Sequence, residues 1–307
     1  MKKLTLAAGG VLGSQIGFQA AVCGWEVTFW MHSSSSITRT KPKIEKLQSV
    51  YEKLAADAKD YRGLASLESP AKAIAQAQNH IHYETDLKKA LEQADLLIEC
   101  VPEVLAEKEA FFKQAAPFIP ENCLIATNTS SLLPSQMAGF IPDPSRFLAM
   151  HFANEIWANN TCEIMPQPKT SQESMKRAVS YAKAMNMIPL VLKKEQAGYL
   201  LNSMLIPLLD SAQALLAADV SDAYTTNEAW KLGTGALHGP FEILDVVGLP
   251  TALNIVKQHP QASDPNTIPG KIAARLEEMV AQKQTFAQII EQEARKSAWP
   301  AQWLPAG

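Results

Sequence analysis

The chain has 307 residues, 47% of them hydrophobic and 19% charged, enough apolar material to bury a core in about two domains and too much for a disordered chain. A net charge of -3 gives no field that would gather nucleic acid or an anionic membrane. Four single cysteines, Cys23, Cys100, Cys123 and Cys162, with no C-x-x-C spacing exclude a zinc finger or a disulfide framework, so the expectation is a reducing cytoplasm and no metal.

Lys2 and Lys3 followed by an apolar stretch to Cys23 look faintly like a secretory leader, but Gly9, Gly10, Ser14, Gln15, Gly17 and Gln19 dilute it. No run of ~18 apolar residues for a membrane span exists either. Residues 3–8 (KLTLAA) read as a strand, GGVLG as a turn, 14–23 as a helix ended by Gly24, and 27–31 (VTFWM) as a second strand. That is one βαβ unit. The serines at 33–36 read as a loop, before Arg39, Lys41, Lys43 and an amphipathic helix carrying Ile44, Leu47, Val50, Tyr51 and Leu54.

From residue 80 the alternation resumes: a strand at IHY, a helix at 87–91, a buried strand at 96–100, a helix at 103–116 and a strand at 123–128. Strands at 147–152 and 162–165 flank a loop rich in Asn and Trp, and a helix at 171–185 leads to a strand at 187–192. This order predicts a mostly parallel, doubly wound sheet. Beyond Lys194 the period is helical, over 200–216, 222–232, 242–256 and 272–281. The expected domains are therefore an α/β domain over 1–194 and an all-helical one over 195–307.

Three constellations carry chemistry. Ala8 to Gly13 matches the dinucleotide fingerprint G-x-G-x-x-G with Ala8 in the first glycine position, so Gly10, Val11, Leu12 and Gly13 are expected to cradle a pyrophosphate at a helix N-terminus. The second strand ends on Met31 and His32 rather than on the Asp or Glu that binds ribose hydroxyls. The serines and cations that follow suit a 2'-phosphate equally with a solvated loop and a basic helix face, which leaves NAD(H) and NADP(H) both open. Finally, His151 near the end of one strand and Glu163 near the start of the next fall opposite each other if the strands form an antiparallel hairpin. Cross-strand Cβ atoms lie roughly 4.5 to 5.5 Å apart, so a carboxylate there would orient an imidazole for general acid/base work; the bland reading is a half-buried His beside an ordinary strand Glu.

GGVLGSQI, ECVPEVLAEKEAFF, TNTSSLLPS, LAMHFAN, CEIM, AGYLLN and GTGALHGPFEILDVVGL, in this order, resemble the short-chain L-3-hydroxyacyl-CoA dehydrogenase family. HFANEIWANNT and KKEQAGYLLNSMLIPLLD resemble its diketoreductase branch. The resemblance implies a Rossmann-type domain followed by a helical substrate and dimerisation domain. It implies His151 as the acid/base at the substrate C3 oxygen, Glu163 as its orienting partner, and Ser130 and Asn202 as hydrogen-bond donors to the same oxygen. Glu103, Lys108, Ser130 and Asn154 then line the cofactor, as His32 does in place of the ribose acid. On residue type alone Ser130 equally caps a helix near Leu132, Asn202 is a polar residue on a buried helix, and Glu103 with Lys108 is a solvated helix start.

The implied activity is hydride transfer between a nicotinamide and C3 of a 3-keto/3-hydroxyacyl substrate, free or as a CoA thioester, by a cytoplasmic homodimer in fatty acid metabolism. The alternatives are a gulonate-type sugar-acid dehydrogenase and a non-catalytic crystallin-like binding protein. Glu155 stands where the common family has Pro, and the tail carries Trp299 and Trp303, packed on a partner subunit or locally.

Overall fold

The computed structural model describes residues 1–57 and 61–297; the tail with Trp299 and Trp303 lies outside them. The chain divides into two compact units, Met1–Leu200 and Leu201–Gly307. The first holds β1 (Lys3–Ala7), α1 (Val11–Val22), β2 (Glu26–Trp30), α2 (Ser34–Ala56), α3 (Pro70–Ala77), β3 (Ile81–Glu84), α4 (Leu87–Leu91), β4 (Leu96–Glu99), α5 (Leu105–Ala115) and β5 (Leu124–Thr127). It continues through β6 (Phe147–Phe152), β7 (Thr161–Pro166), α6 (Gln172–Ala184) and β8 (Ile188–Val191).

One eight-stranded sheet runs in the order β3-β2-β1-β4-β5-β6-β7-β8. Every neighbouring pair is parallel except β6 and β7, which form the antiparallel hairpin. Side chains on a strand alternate between faces, and β4 shows the result. Leu96 and Ile98 join Leu4, Leu6, Leu124 and Phe18 in one core layer, whereas Leu97 joins Ile125, Phe112 and Phe147 in the other. Burial on both faces is why these strands read as unbroken apolar runs. Strand order reverses between β1 and β4, so a crevice opens at the carboxyl ends of those strands, where open α/β sheets bind their ligands.

The second unit consists of α7 (Leu201–Ala217), α8 (Ala223–Thr234), α9 (Pro240–Val247), α10 (Leu249–Val256), α11 (Ile268–Gln282) and α12 (Phe286–Ala294). Leu209, Leu216, Phe241, Leu244, Leu276 and Phe286 lie in its core. No helix among the described residues is long and apolar enough to cross a membrane.

Two of the expected segments are built differently from the sequence reading. The serines expected as a loop open α2 instead, because Ser33 takes an extended backbone and its side chain accepts from the Ser36 N–H, a cap that starts the helix. The helix expected over 242–256 is two helices, broken at Gly248, whose φ of +92 no helical residue adopts.

Candidate active site

The turn from β1 to α1 is built for close backbone approach. A Cβ placed on Gly13 would lie 2.4 Å from the Ala8 Cβ, so only glycine lets the helix start this near the strand. A Cβ on Gly10 would meet nothing within 4 Å, which leaves open space over the backbone. Gly10 caps α1 with no side-chain hydrogen bond, and the first turn contains no acidic residue. Free N–H groups and the positive end of the helix dipole at an uncrowded glycine fit a pyrophosphate. Ala8 is not among the residues with positive φ, so its methyl costs the turn nothing. Lys43 Nζ donates to the Gly9 carbonyl at 2.5 Å, and Thr40 is buried against the same residue.

At the carboxyl end of β4 lies a charged cluster whose inner pair, Glu99 and Lys108, is closed off from water. Glu99 is 0% exposed and Lys108, on α5, is 1% exposed, with Lys108 Nζ 2.8 Å from Glu99 Oε1. The Val101 N–H donates to Glu99 Oε1 at 2.6 Å and Thr127 Oγ1 donates to Oε2 at 2.7 Å, so every oxygen of the buried carboxylate has a donor. Lys108 Nζ also lies 3.3 Å from Glu103 Oε2. The other Glu103 oxygen accepts from Thr129 Oγ1, the Ser130 N–H at 3.0 Å, and the N–H and Oγ of Ser131 at 2.8 and 2.9 Å. Burial alone would raise the Glu103 carboxyl, but bonds from Thr129 and the Ser131 N–H, with Lys108 beside it, overcome this and hold it down at about 2. The loop carrying Ser130 is thereby tied to the sheet through an ion pair.

In the β6/β7 ladder His151 stands directly opposite Glu163, and His151 Nδ1 is 3.0 Å from Glu163 Oε2. The His151 side chain is 13% exposed and that of Glu163 4%, so the imidazole keeps an open edge while the carboxylate is enclosed. The Leu200 N–H donates to Glu163 Oε1 at 2.9 Å. With Nδ1 held by the carboxylate, Nε2 is the nitrogen left to exchange a proton.

Three comparisons with known proteins bear on this geometry. Residues 3–196 match the 3-hydroxyacyl-CoA dehydrogenase NAD binding domain and residues 198–292 match the C-terminal domain of the same family. The chain belongs to the 3-hydroxyacyl-CoA dehydrogenase family. Its cofactor is NAD(H), in agreement with the open glycine turn. It is 30% identical over 257 residues to the mitochondrial hydroxyacyl-coenzyme A dehydrogenase of Homo sapiens, covering 83% of this chain and 79% of that one. It is 28% identical to the 3-hydroxybutyryl-CoA dehydrogenase of Clostridioides difficile, covering 83% and 85%. A solved diketoreductase, described for substrate-directed dual catalysis of dicarbonyl compounds, superposes with a TM-score of 0.81 at 40% identity, over 91% of this chain and 92% of that chain.

Within this dehydrogenase the expected site residues fall into groups. Gly10 and Gly13 form the turn, Val11 and Leu12 open α1, and His32 is exposed just past β2. Of the cations near the ribose end, Arg39 binds Ser36 Oγ at 2.9 Å, Lys41 sits 5.6 Å from the centre of the Tyr83 ring, and Lys43 holds Gly9. Ser130 is exposed and caps no helix, since the next helical turn starts at Pro134 with Leu133 before it. Glu103 and Lys108 are not a solvated helix start; one holds the Ser130 loop and the other is sealed beneath it. Asn154 is exposed, and its carbonyl accepts from Asn159 Nδ2 at 3.0 Å. Asn202 lies on the first turn of α7, in the second unit.

Three neighbours of the site went unread in the sequence. Glu99 looked like the end of an apolar strand, though a Glu inside LLIEC is itself a signal, because carboxylates are almost never fully buried unless paired. Gln15 on α1 accepts the N–H of Glu155 at 2.9 Å and so fixes the loop after His151. Tyr199 packs on His151 itself, with ring centres 4.5 Å apart.

Proposed function

We propose that this family member is an NAD(H)-dependent oxidoreductase interconverting a 3-hydroxy and a 3-keto group on an acyl substrate, with His151 as its acid/base. The observation that carries the reading is the His151–Glu163 pair, held in register across one hairpin and open at the imidazole edge. In the reductive direction His151 gives the Nε2 proton to the C3 oxygen, while Glu163 accepts from Nδ1, fixes the ring and stabilises the charged imidazolium. Ser130 hydrogen-bonds the same oxygen as negative charge develops on it. The bound nicotinamide supplies or takes up the hydride, and the glycine turn and α1 N-terminus hold its pyrophosphate. Lys108 and Glu99 act one step back, through Glu103 and the loop that bears Ser130.

The substrate is read as a 3-keto/3-hydroxyacyl-CoA thioester, from the names of the curated relatives. One observation favours a second reading, a free dicarbonyl compound of the kind handled by the similar diketoreductase. Glu155 has φ +56 and donates its N–H to Gln15, and proline can do neither, so the loop after His151 is built differently from the common family pattern. A homodimer is read from the second unit, where Met204, Leu237 and Val246 are 67%, 87% and 87% exposed. Phe241, Leu244 and Leu253 belong to the unit's own core. Four free cysteines accord with a reducing compartment such as the cytoplasm.

The test is a matched assay of NADH and NADPH oxidation with acetoacetyl-CoA and with a free β-keto ester, on wild type and His151→Ala. Thioester turnover with NADH is the expected result; turnover of the free ester alone selects the second substrate. His151→Ala should lower turnover by ~10²-fold or more while cofactor still binds, and unchanged turnover removes His151 from the mechanism. Sedimentation showing a monomer at all concentrations would remove the dimer.

A further inference from the structure

The segment 198–200 grips the acid/base pair from several sides. The Tyr199 ring stacks on the His151 imidazole, with centres 4.5 Å apart and planes 17° from parallel. Its hydroxyl donates to the Thr129 carbonyl at 2.6 Å, and the next N–H, that of Leu200, donates to Glu163 Oε1. Tyr199 is 1% exposed and burial pushes its phenol up, so the hydroxyl stays protonated and remains a donor. Gly198 and Tyr199 have φ of +79 and +54. A bulky residue holds a left-handed backbone only where its surroundings over-determine it, and here ring, hydroxyl and the following N–H all do so.

These contacts meet a need that the rest of the site leaves open. The bond from Nδ1 to Glu163 pins the imidazole at one atom and leaves its plane to tilt about that atom. A flat neighbour against its face removes the tilt. The loop bearing Ser130 has a parallel need: Glu103 holds it by its N–H groups, and the carbonyl side is held by Tyr199. We infer that Tyr199 is a positioning residue for the reaction, its ring setting the plane of His151 and its hydroxyl setting the loop of Ser130, so that proton donor and oxyanion donor keep one geometry. The inference rests on the reading of His151 as the acid/base.

The experiment uses the full chain as wild type, His151→Ala, Tyr199→Phe and Tyr199→Leu, with kcat, KM and the pH profile of kcat measured alongside NADH binding by fluorescence. Tyr199→Leu should lower kcat by about 10²-fold, the cost of a misplacement near 1 Å, with KM and NADH affinity little changed. Tyr199→Phe keeps the ring and should lose no more than about tenfold, with a pH profile of unchanged shape. If the Leu variant fails to bind NADH, Tyr199→Asn, which accepts a left-handed backbone, takes its place. An enzyme sensitive to His151→Ala but keeping its kcat when the Tyr199 ring is removed overturns this inference alone. One insensitive to His151→Ala overturns the acid/base reading and this inference together.

Discussion

Two pairs of a carboxylate with a basic side chain stand at the same end of the sheet, and they differ in depth rather than in length. Glu99 and Lys108 are 2.8 Å apart with side chains 0% and 1% exposed; Glu163 and His151 are 3.0 Å apart with side chains 4% and 13% exposed. In the deep pair the ammonium spends its donors inside the protein, on Glu99, Glu103 and the Val101 carbonyl, and its side chain is shut off from solvent, so it has no open path along which to trade a proton. In the shallow pair the partner of the carboxylate is an imidazole whose second nitrogen is not committed to that carboxylate. A proton relay needs a titratable partner with an open edge, whereas a buried pair with every hydrogen bond made fixes the backbone around it. The first pair is the foundation of the Ser130 loop and the second is the pair proposed as the reacting group.

The contrast is broken most forcefully at the deep pair. Lys108→Met strands the Glu99 carboxyl without its cation at a buried site, where burial already pushes its titration up, and should cost about 3–5 kcal/mol of stability in urea unfolding. Pairing it with Glu99→Gln should recover a large part of that loss, because the damage comes from the uncompensated charge. Equal losses in the single and double variants would mean that packing, not charge, is what the cluster provides.

At the shallow pair the effect should move from stability to rate. Glu163→Gln keeps an oxygen for the Leu200 N–H but removes the charge that steadies a protonated imidazole. We expect kcat to fall by about 10²-fold with unfolding little changed. A variant that loses stability and keeps its rate would place Glu163 with Glu99 as a structural carboxylate.

What the sequence made legible follows from the same contrast. Elements with strong period or enclosed apolar runs, β1, β4 and β5 among them, were readable because burial on both faces leaves an unmistakable pattern. The cross-strand meeting of His151 and Glu163 was readable because a hairpin brings two residues on either side of a short loop opposite each other. The short α3 and α12 carry too few turns for a clear period, and neither was anticipated. Contacts joining positions far apart in the chain were out of reach, since no spacing rule links Tyr199 to Thr129 or Gln15 to Glu155. The burial of Lys108 was hidden for a related reason. An α5 pattern with Glu and Lys on it reads as a solvated face until β4 places a carboxylate beneath it.

Glu103 lies between the two extremes, with a side chain 35% exposed, and the pH dependence of folding should register it. Its carboxyl sits at about 2 against an ordinary 4.5, so the folded state binds its proton less readily than the unfolded chain. The stabilisation is therefore complete above about pH 4.5 and drains away as pH falls toward 2. Urea unfolding of wild type and Glu103→Gln at neutral pH, near pH 4 and near pH 2.5 should show a gap that is constant above 4.5 and closes on the acid side. Because part of this carboxylate faces water, added salt should narrow the gap at neutral pH. The Glu99–Lys108 pair, shut off from solvent, should be far less sensitive to salt. A gap at Glu103 that ignores both acid and salt would mean that its oxygens hold the Ser130 loop by hydrogen bonding alone, with no contribution from the charge on Lys108.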